Sequence, residues 1–435
     1  MSKPGFENVI VVGAGPSGLL MSLLLAKKGI PVHLIDAAET LDSQPRAAHY
    51  GPPAIPDLRR AGIMDRVRER GMTLNTMCWR KLDTEYIAGL DGSVLADIDP
   101  DPRTACLALQ DLDKIMLDDF ESFSHSKVSW RHKVMSIGQD EQKAWINVET
   151  PSGEIKMEAS YIIGCDGANS QIRRSLFGDK NFPGFTWDQQ IVATNTYYDF
   201  RKFGYHDANF IIHPEHLYMA AIIQEDGLWR VTYGEKPGLS LEELKARQEW
   251  KFETILPGNP KPGDYKVMNF SPYRMHQRLA EKFRVGRFLL AADAAHLCNP
   301  FGGLGITGGF VDVGGLYDCL VGLWEHKADD SILDLYSDIR RQKYKEFIDP
   351  ISTENFKRLW GQDAETALEN DGFLQLCKKA ETDKEFAKQL QLGMMAVRYD
   401  FTQHYKDAKP NGETDGAAKM GVDVSHIEIA PTAAN

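Results

Sequence analysis

The sequence predicts an α/β protein in which a Rossmann-like nucleotide-binding domain carries an inserted antiparallel β-sheet domain and is followed by C-terminal helices. Three features indicate this fold. A β-branched run leads through a glycine-rich turn into a helical run at residues 9–28. Residues 182–275 alternate aromatic and β-branched side chains with polar ones between turns. A buried strand and long helical runs then return after residue 287.

The first feature is a glycine motif with the pattern GxGxxG, placed directly after the strand-like run Val9–Val12. Gly13 permits a tight turn, Gly15 lets the backbone approach a pyrophosphate, and Gly18 lets the helix pack on the strand. Asp36 closes the next apolar run and can accept hydrogen bonds from a ribose. The motif predicts that an adenosine diphosphate binds here, and it leaves NAD, NADP and FAD open as the ligand.

Composition and charge narrow the class of protein. A chain of 435 residues exceeds one ordinary hydrophobic core and indicates two or three domains. The formal net charge of −12 argues against a nucleic-acid partner, because phosphate contacts require clustered Lys and Arg. The six cysteines form no CxxC pair and there is no HExxH motif, so the sequence predicts no metal site and a reducing compartment.

The apolar runs and the N-terminus indicate where the protein works. No signal-peptide pattern precedes the first strand, and the apolar run Leu19–Ala26 is far shorter than the ~20 residues of a membrane span. We therefore expect a cytoplasmic protein without a membrane span, present as a monomer or a homodimer.

Two further turns follow buried strands later in the chain. Asp166 and Gly167 come directly after the run Tyr161–Cys165, and a helical pattern follows them. Asp293 comes after the run Arg287–Ala292 and precedes a proline- and glycine-rich loop at residues 299–305. Since a glycine-rich turn before a helix offers free N–H groups and a partial positive charge, this loop can stabilise negative charge on a ligand.

With these three turns in order, the chain resembles the group A flavoprotein monooxygenases, which share the fold of para-hydroxybenzoate hydroxylase, over about residues 8–345. The resemblance implies a Rossmann-like FAD-binding domain of the GR2 type with an inserted antiparallel sheet for the substrate. It also implies the cofactor-binding residues, which are Gly13, Gly15, Pro16, Ser17, Gly18, Asp36, Ala37, Arg46, Gln110, Asp166, Gly167, Asp293, Pro300, Gly303, Gly305, Ile306 and Thr307.

The chain departs from the family pattern at three positions. Ala292 stands where glycine usually precedes the aspartate, Asn299 is the first residue of what is usually a proline pair, and Thr307 stands where asparagine is common. No charged ligand is lost, so FAD binding is expected to persist. The departures bear instead on the geometry of the loop beside the reacting ring.

The resemblance implies the chemistry as well. NADPH or NADH reduces FAD, O2 gives a flavin C4a-hydroperoxide, and one oxygen atom enters an electron-rich, phenolic ring. We expect a small aromatic substrate and a role in tailoring a secondary metabolite. Other oxidations on the same fold (epoxidation, Baeyer–Villiger or dearomatising oxidation), an FAD-dependent reductase and a non-catalytic flavin-binding protein stay open. A dehydrogenase that uses the first motif for NAD leaves Asp293 unexplained.

The substrate is expected to meet the inserted sheet. Alternation places His213 on one face of its strand and Tyr218 on one face of the next strand. Arg230 and Tyr233 lie on the strand after that. A His or Tyr could help to deprotonate a phenol, so His213 and Tyr218 are predicted as catalytic residues together with Pro300 of the ring loop.

These observations give the domain boundaries. Residues 1–181 and 276–360 are predicted to form the discontinuous FAD-binding domain, and residues 182–275 the substrate-binding sheet domain. C-terminal helices are predicted at 361–405, and a flexible tail at 406–435.

Overall fold

The structure, a computed structural model, describes residues 4–42 and 48–406. The strands are β1 (Val9–Val12), β2 (Val32–Ile35), β3 (His49–Tyr50), β4 (Met72–Thr73), β5 (Thr76–Arg80), β6 (Tyr86–Asp91), β7 (Ala105–Cys106), β8 (Ser126–Ser129), β9 (Lys133–Gln139), β10 (Ala144–Thr150), β11 (Gly153–Ala159), β12 (Tyr161–Gly164), β13 (Gly184–Tyr197), β14 (Ala208–Ile211), β15 (Tyr218–Gln224), β16 (Leu228–Glu235), β17 (Lys266–Leu279), β18 (Arg284–Val285), β19 (Phe288–Leu290) and β20 (His296–Leu297). The α-helices are α1 (Pro16–Lys28), α2 (Ile55–Arg60), α3 (Met64–Arg70), α4 (Leu109–Glu121), α5 (Gln171–Phe177), α6 (Leu241–Ile255), α7 (Leu304–Trp324), α8 (Ser331–Lys343), α9 (Asp349–Trp360), α10 (Ala367–Asn370), α11 (Gly372–Ala380) and α12 (Lys384–Leu392).

The nucleotide-binding domain is built on a six-stranded sheet with the order β18-β19-β12-β1-β2-β8. Its strands pair in parallel except for β18, which forms a short antiparallel pair with β19. The four residues of β1 are all buried, as expected for a parallel strand that is covered on both faces. Helix α1 packs between α4 and α7. This confirms the predicted Rossmann-like domain.

The substrate domain is an eight-stranded sheet with the order β20-β17-β13-β16-β15-β14-β5-β6. Its pairs are antiparallel except for β14 and β5, which run in parallel. Strands β5 and β6 come from residues 76–91, which the sequence interpretation had placed in the first domain. The sheet therefore extends beyond the predicted range 182–275 at both ends, because β17 also continues to Leu279.

The two faces of the eight-stranded sheet have different neighbours. One face, which we call the α6 face, packs against helix α6 through buried apolar side chains, which are Val192, Tyr218, Ala220, Trp229, Val231 and Tyr233. The opposite face, which we call the cleft face, carries the alternate residues Ile191, Ala193, Asn195, Met219, Ala221, Arg230 and Thr232. Ile191 and Met219 pack in one cluster with Phe301, which follows Pro300, so the cleft face looks toward the first domain.

A local signal in the sequence marks the start of helix α6. The helix begins at a capping box, in which the Ser240 hydroxyl accepts a hydrogen bond from the Glu243 N–H and the Glu243 carboxylate accepts one from the Ser240 N–H. Helical structure also follows residue 360, at α10, α11 and α12, as expected for residues 361–405. The predicted flexible tail lies outside the described residues except for Lys406.

Helix α7 is the central helix of the first domain. Among the described residues it is the one helix that is long and apolar enough to cross a membrane, and 72% of that apolar window is buried inside the protein. Its buried side chains pack in the same cluster as β1, α1 and β19. The apolar character of α7 is thus used in the protein core.

Candidate active site

The first glycine turn is fixed by close packing. Gly13 has a φ of +104°, and a Cβ at this position would lie 2.5 Å from the carbonyl oxygen of Cys165. A Cβ at Gly18 would lie 1.8 Å from the Gly13 carbonyl oxygen, so helix α1 touches the turn that precedes it. At Gly15 a Cβ would meet nothing within 4 Å, and no described side chain caps the helix there. The first N–H groups of α1 are therefore open to a phosphate ligand.

Asp36 ties the end of β2 to this turn. Its carboxylate accepts hydrogen bonds from the Ala14 N–H at 2.6 Å and from the Ala38 N–H at 2.7 Å. Each carboxylate oxygen keeps a second lone pair, which can accept a bond from a ribose hydroxyl. Ala37 is exposed beside it, and Pro16 is partly exposed at the start of α1. These positions stay predicted cofactor contacts.

Asp166 lies in the turn before helix α5 and caps its first N–H groups. Its carboxylate accepts hydrogen bonds from the Ser170 hydroxyl at 2.5 Å, the Gln171 N–H at 2.7 Å and the Ile172 N–H at 3.1 Å. Burial raises the pKa of Asp166, although the three donors act in the opposite direction. The carboxylate is thus already used as a helix cap. Its predicted contact with the cofactor stays a prediction, as does that of the adjacent Gly167.

The second glycine turn opens helix α7. Gly303 has a left-handed φ of +65°, no described side chain caps the helix, and a Cβ at Gly303 or Gly305 would meet nothing within 4 Å. Pro300 and Ile306 are partly exposed on the same turn. The start of α7 therefore offers unbonded N–H groups and a positive helix end to a ligand, as the start of α1 does.

Thr307 and Gln110 have different surroundings. The Thr307 side chain is buried, and its hydroxyl oxygen accepts a hydrogen bond from the Gly51 N–H at 3.2 Å, which ties α7 to the segment after β3. Gln110 is exposed in the first turn of α4. Arg46, the predicted contact for the flavin chain, lies outside the described residues.

Asp293 sits in a single 3-10 turn, Ala292–Ala294, between β19 and β20. Its side chain is exposed at the surface of this turn. Ala292 stands where the family pattern usually has glycine. Its φ is +56°, a left-handed conformation that costs an alanine about 1 kcal/mol. The surrounding structure must therefore hold the turn in place.

A buried carboxylate holds this turn. Asp312 of α7 accepts hydrogen bonds from the Ala292 N–H at 3.0 Å, from His296 Nε2 at 2.7 Å and from Arg340 Nε at 2.7 Å. The Arg340 Nη1 group also donates to the carbonyl oxygen of Val397 at 2.6 Å. Burial opposes ionisation of Asp312, but its interactions with His296 and Arg340 prevail and lower its pKa. The carboxylate thus links the turn of Asp293 to α7, α8 and the C-terminal region.

Sequence reasoning missed this network, although it left a signal. An aspartate in an otherwise apolar helix needs a buried partner, and Asp312 stands among Gly, Phe and Val residues. His296 is only three residues after Asp293, but Arg340 is remote in sequence. Only the packing of α7 against α8 brings the three side chains together.

The structure brings the predicted motifs to one place. A Cβ at Gly309 of α7 would lie 2.7 Å from the Ala292 Cβ and 3.2 Å from the Ser17 hydroxyl, so the starts of α1 and α7 lie against the turn of Asp293. A Cβ at Gly13 would lie 2.8 Å from Asp166 Cα. Two uncapped helix starts with open glycines, and an exposed carboxylate between them, fit a cofactor with a diphosphate and a second charged end.

The cleft face of the sheet carries a small cluster of polar groups. The Arg230 Nε group donates to Asn195 Oδ1 at 2.6 Å, and charge interactions link Arg230 with Tyr273 and Cys106. Burial lowers the pKa of Arg230, which still stays cationic at neutral pH because an arginine is not deprotonated in proteins. Beside it, His49 Nε2 contacts the Ile222 carbonyl oxygen at 2.8 Å, and burial lowers the pKa of His49 to about 4. Arg230 is thus a cation in a poorly solvated place.

The two sheet residues that were predicted as catalytic lie elsewhere. Tyr218 is fully buried on the α6 face, where its hydroxyl bonds the Tyr205 hydroxyl at 2.5 Å. His213 lies in the turn after β14, and its Nδ1 accepts bonds from the N–H groups of Glu215 and His216. Alternation could show that Tyr218 lies on one face of its strand, but it could not tell that this face meets α6. Among the described residues, no group of three or more His, Cys, Asp or Glu could hold a metal ion.

Comparison with known proteins agrees with this geometry. The family model described as an FAD binding domain matches residues 7–350. The chain is 36% identical to para-nitrophenol 4-monooxygenase of Pseudomonas sp. (strain WBC-3) over 388 residues, which is 89% of this chain and 95% of that protein. It is 35% identical to 6-hydroxy-3-succinoylpyridine 3-monooxygenase of Pseudomonas putida, over 82% of this chain and 90% of that protein.

A solved structure shows the same fold. The crystal structure of p-nitrophenol 4-monooxygenase from Pseudomonas putida DLL-E4 superimposes with a TM-score of 0.84 at 35% identity, and the match covers 91% of this chain and 99% of that one. The family match and the relatives give the cofactor and the class of reaction, and the two open helix starts are compatible with that cofactor. The chain therefore belongs to the FAD-binding-domain family of aromatic-ring hydroxylases, and it is an FAD-dependent monooxygenase.

Proposed function

We propose that this enzyme uses NADH or NADPH and O2 to hydroxylate a small, single-ring phenol or hydroxypyridine at a ring carbon para to the hydroxyl group. The observation that carries this proposal is Arg230 on the cleft face, a half-buried cation that is bonded to Asn195 and lies near the buried ring of His49. A cation in that place favours a substrate in its anionic, phenolate form.

The names of two relatives support the position of attack. In para-nitrophenol 4-monooxygenase the numbered carbon is the one that bears the nitro group, para to the hydroxyl. In 6-hydroxy-3-succinoylpyridine 3-monooxygenase the numbered carbon bears the succinoyl group, again para to the hydroxyl. Both substrates carry an electron-withdrawing group at that carbon, which makes the hydroxyl acidic. We propose the same substrate class for this chain.

The residues of the site would divide the work as follows. The N–H groups at the start of α1 would bind the diphosphate, and Asp36 the adenosine ribose. Asp293 would accept hydrogen bonds from the ribityl hydroxyls, and the start of α7 would stabilise negative charge at the pyrimidine edge of the ring. Once reduced by a nicotinamide nucleotide, the bound FAD supplies an activated oxygen atom from O2.

Arg230 would hold and activate the aromatic substrate. A guanidinium bonded to the phenolate oxygen favours the ionised form, whose ring is richer in electrons at the para carbon. Because an electron-withdrawing para group already acidifies the phenol, this scheme needs no side-chain general base. It therefore assigns no role to His213 or Tyr218. The sheet behind Arg230 would exclude water from the ring.

The test uses the purified holoenzyme and a panel of para-substituted phenols and hydroxypyridines. Substrate-stimulated oxidation of NADH or NADPH is expected. With para-nitrophenol as the probe, one 18O atom from 18O2 should bond to the para carbon while the C–N bond breaks, so that the nitro group leaves as nitrite, the ring leaves as the quinone, and the second oxygen atom becomes water. Meta-substituted isomers serve as the matched control and should stimulate oxidation without product. Hydroxylation ortho to the hydroxyl, or product from the meta isomers alone, would refute the proposed position of attack.

The other expectations have less support. The two relatives reported above are named for small nitrophenol and pyridine substrates, so we do not extend the proposal to tailoring of secondary metabolites. No observation of the site favours epoxidation, Baeyer–Villiger oxidation or a reductase. A non-catalytic role disagrees with membership of a family of monooxygenases. The choice of nicotinamide nucleotide, the oligomeric state and the cytoplasmic location stay predictions.

A further inference from the structure

Asn299 is the residue at which this chain departs from the usual proline pair of the ring loop, and the structure gives it an elaborate environment. Its side chain is completely buried. The Oδ1 atom accepts a hydrogen bond from the Phe301 N–H at 3.0 Å, and the Nδ2 group donates to the Ser352 carbonyl oxygen at 2.9 Å. The backbone N–H donates to Gln277 Oε1 at 2.6 Å. A proline could make none of these three bonds.

Gln277 extends the network to the sheet and to α9. It lies on β17 and is 2% exposed. Its Nε2 group donates to Asp349 Oδ1 at 2.6 Å and to the Ser352 hydroxyl at 3.1 Å. Gln277 thus joins two segments: its Oε1 atom accepts from the Asn299 backbone, and its Nε2 group bonds the start of α9.

Apolar packing supports the same connection. The Phe301 ring stacks on the Phe356 ring of α9 with centroids 5.0 Å apart. A Cβ at Gly302 would lie 2.7 Å from Asn355 Nδ2, so α9 also limits the space on this side of the loop. The loop before α7 is therefore enclosed between β17 and α9, and it leads directly into the open glycines Gly303 and Gly305 at the start of α7.

From these contacts we propose that Asn299 is a positioning residue, which fixes Pro300–Gly303 against the sheet and α9 and so sets the distance between the flavin ring and the substrate. Fully satisfied buried polar networks are rigid and specify one arrangement. The link between loop position and product yield rests on the function proposed above, whereas the fixed position of the loop does not.

The test compares FAD-bound wild type with Asn299→Ala, and with Asn370→Ala as the control at an exposed asparagine of α10. Hydrogen–deuterium exchange should become about tenfold faster in peptides that cover residues 300–306, because two buried hydrogen bonds are lost. Exchange in a peptide from β1 and α1 should not change. FAD should be retained, and the amount of product formed per NAD(P)H oxidised should fall several-fold as peroxide replaces it.

Two further variants keep the proposal falsifiable should Asn299→Ala fold poorly. Asn299→Ser retains an oxygen that can accept from the Phe301 N–H and should give an intermediate rate of exchange. Gln277→Met should loosen the same loop, and its effect should not add fully to that of Asn299→Ser, since both act through one network.

The outcomes separate the parts of the proposal. Unchanged exchange in the loop, or an increase no greater than that in the β1–α1 peptide, would refute the positioning role. A looser loop with an unchanged product yield would remove its link to the reaction. If no substrate of the panel were hydroxylated, the function proposed above would fail while the exchange experiment would still decide the role of Asn299.

Discussion

The two faces of the eight-stranded sheet share every strand but serve different purposes. The α6 face is an apolar layer in which Tyr218 pairs with Tyr205, and the helix that covers it carries a charged residue, Lys251, that is 2% exposed. On the cleft face the Arg230 Nε group donates to Asn195 Oδ1, and Arg230 is the candidate substrate contact. Strand alternation creates both faces at once, so one residue of shift separates a packing position from a candidate substrate contact. The role of a polar residue on this sheet therefore depends on which part of the protein covers its face.

The largest expected effect is at Arg230. Replacing it by methionine should lower kcat/KM for the para-substituted phenol about 100-fold, since losing a charge-assisted hydrogen bond in a poorly solvated site costs about 2–3 kcal/mol. FAD content should be unchanged, and Arg230→Lys should recover part of the rate. Steady-state kinetics and the flavin spectrum measure both.

The control for this prediction is Arg70→Met, at an exposed arginine of α3, which should leave kcat/KM within about twofold. Loss of FAD from Arg230→Met would show that Arg230 serves the cofactor. An unchanged kcat/KM would show that Arg230 does not act on the substrate, and the proposed functional difference between the two faces would then be wrong.

His49 tests the desolvation of the cleft face by pH. Its pKa is lowered to about 4 by burial, whereas the unfolded chain titrates near the ordinary value of 6.5. Between these values the unfolded state binds a proton that the folded state does not, so stability falls as pH drops from 6.5 to 4. The loss should reach about 3 kcal/mol. Urea unfolding of wild type and His49→Gln at pH 7 and pH 4.5 measures it.

In His49→Gln the difference in unfolding free energy between the two pH values should shrink by most of that amount. His404→Gln, at an exposed histidine, should keep the wild-type difference. Equal pH dependence in all three proteins would show that His49 is well hydrated, and the cleft face with it.

Lys251 makes the matching test on the α6 face. Burial lowers its pKa to about 8 from an ordinary value of 10.5, which costs about 3 kcal/mol at pH 7, where both states are protonated. Its ammonium group offsets part of this cost, because it donates a hydrogen bond to the Glu215 carbonyl oxygen at 3.1 Å. Lys251→Met should therefore raise the unfolding free energy by about 1–2 kcal/mol at pH 7.

The gain should disappear above about pH 10, where the lysine of the unfolded chain also loses its proton. Denaturant titrations at pH 7 and pH 10 follow this change, with exposed Lys245→Met of the same helix as control. A destabilised Lys251→Met at pH 7 would mean that its hydrogen bonds outweigh the burial of its charge. The kinetics should be unaffected in either case.

The smallest effect is expected at Tyr218. Tyr218→Phe removes one buried hydrogen bond to Tyr205 and should lower the unfolding free energy by about 1 kcal/mol. Because the side chain lies on the α6 face, kcat/KM should stay within about twofold of wild type. A large kinetic loss with normal stability would instead restore Tyr218 as a catalytic residue. Tyr205→Phe, which breaks the same bond from its other end, is the matched comparison.

Sequence reasoning found the local motifs, but it missed contacts between segments that are far apart in the chain. The turns at Gly13, Asp166 and Asp293 each follow a strand, and their order identified the family before any contact was known. The membership of β5 in the eight-stranded sheet was missed, since it pairs in parallel with β14, about 130 residues later in the chain. The Asp312 network was missed for the same reason.

The sequence by itself determined the cofactor domain of this protein, because glycines, strand ends and helix starts act over a few residues and leave readable spacing. It also determined that a sheet with two alternating faces is inserted. The tertiary structure alone decided which face packs against α6, which carboxylate holds the turn of Asp293, and which bonds Asn299 makes where a proline is usual. Those decisions depend on contacts between segments far apart in the chain, and burial and charge act there through space.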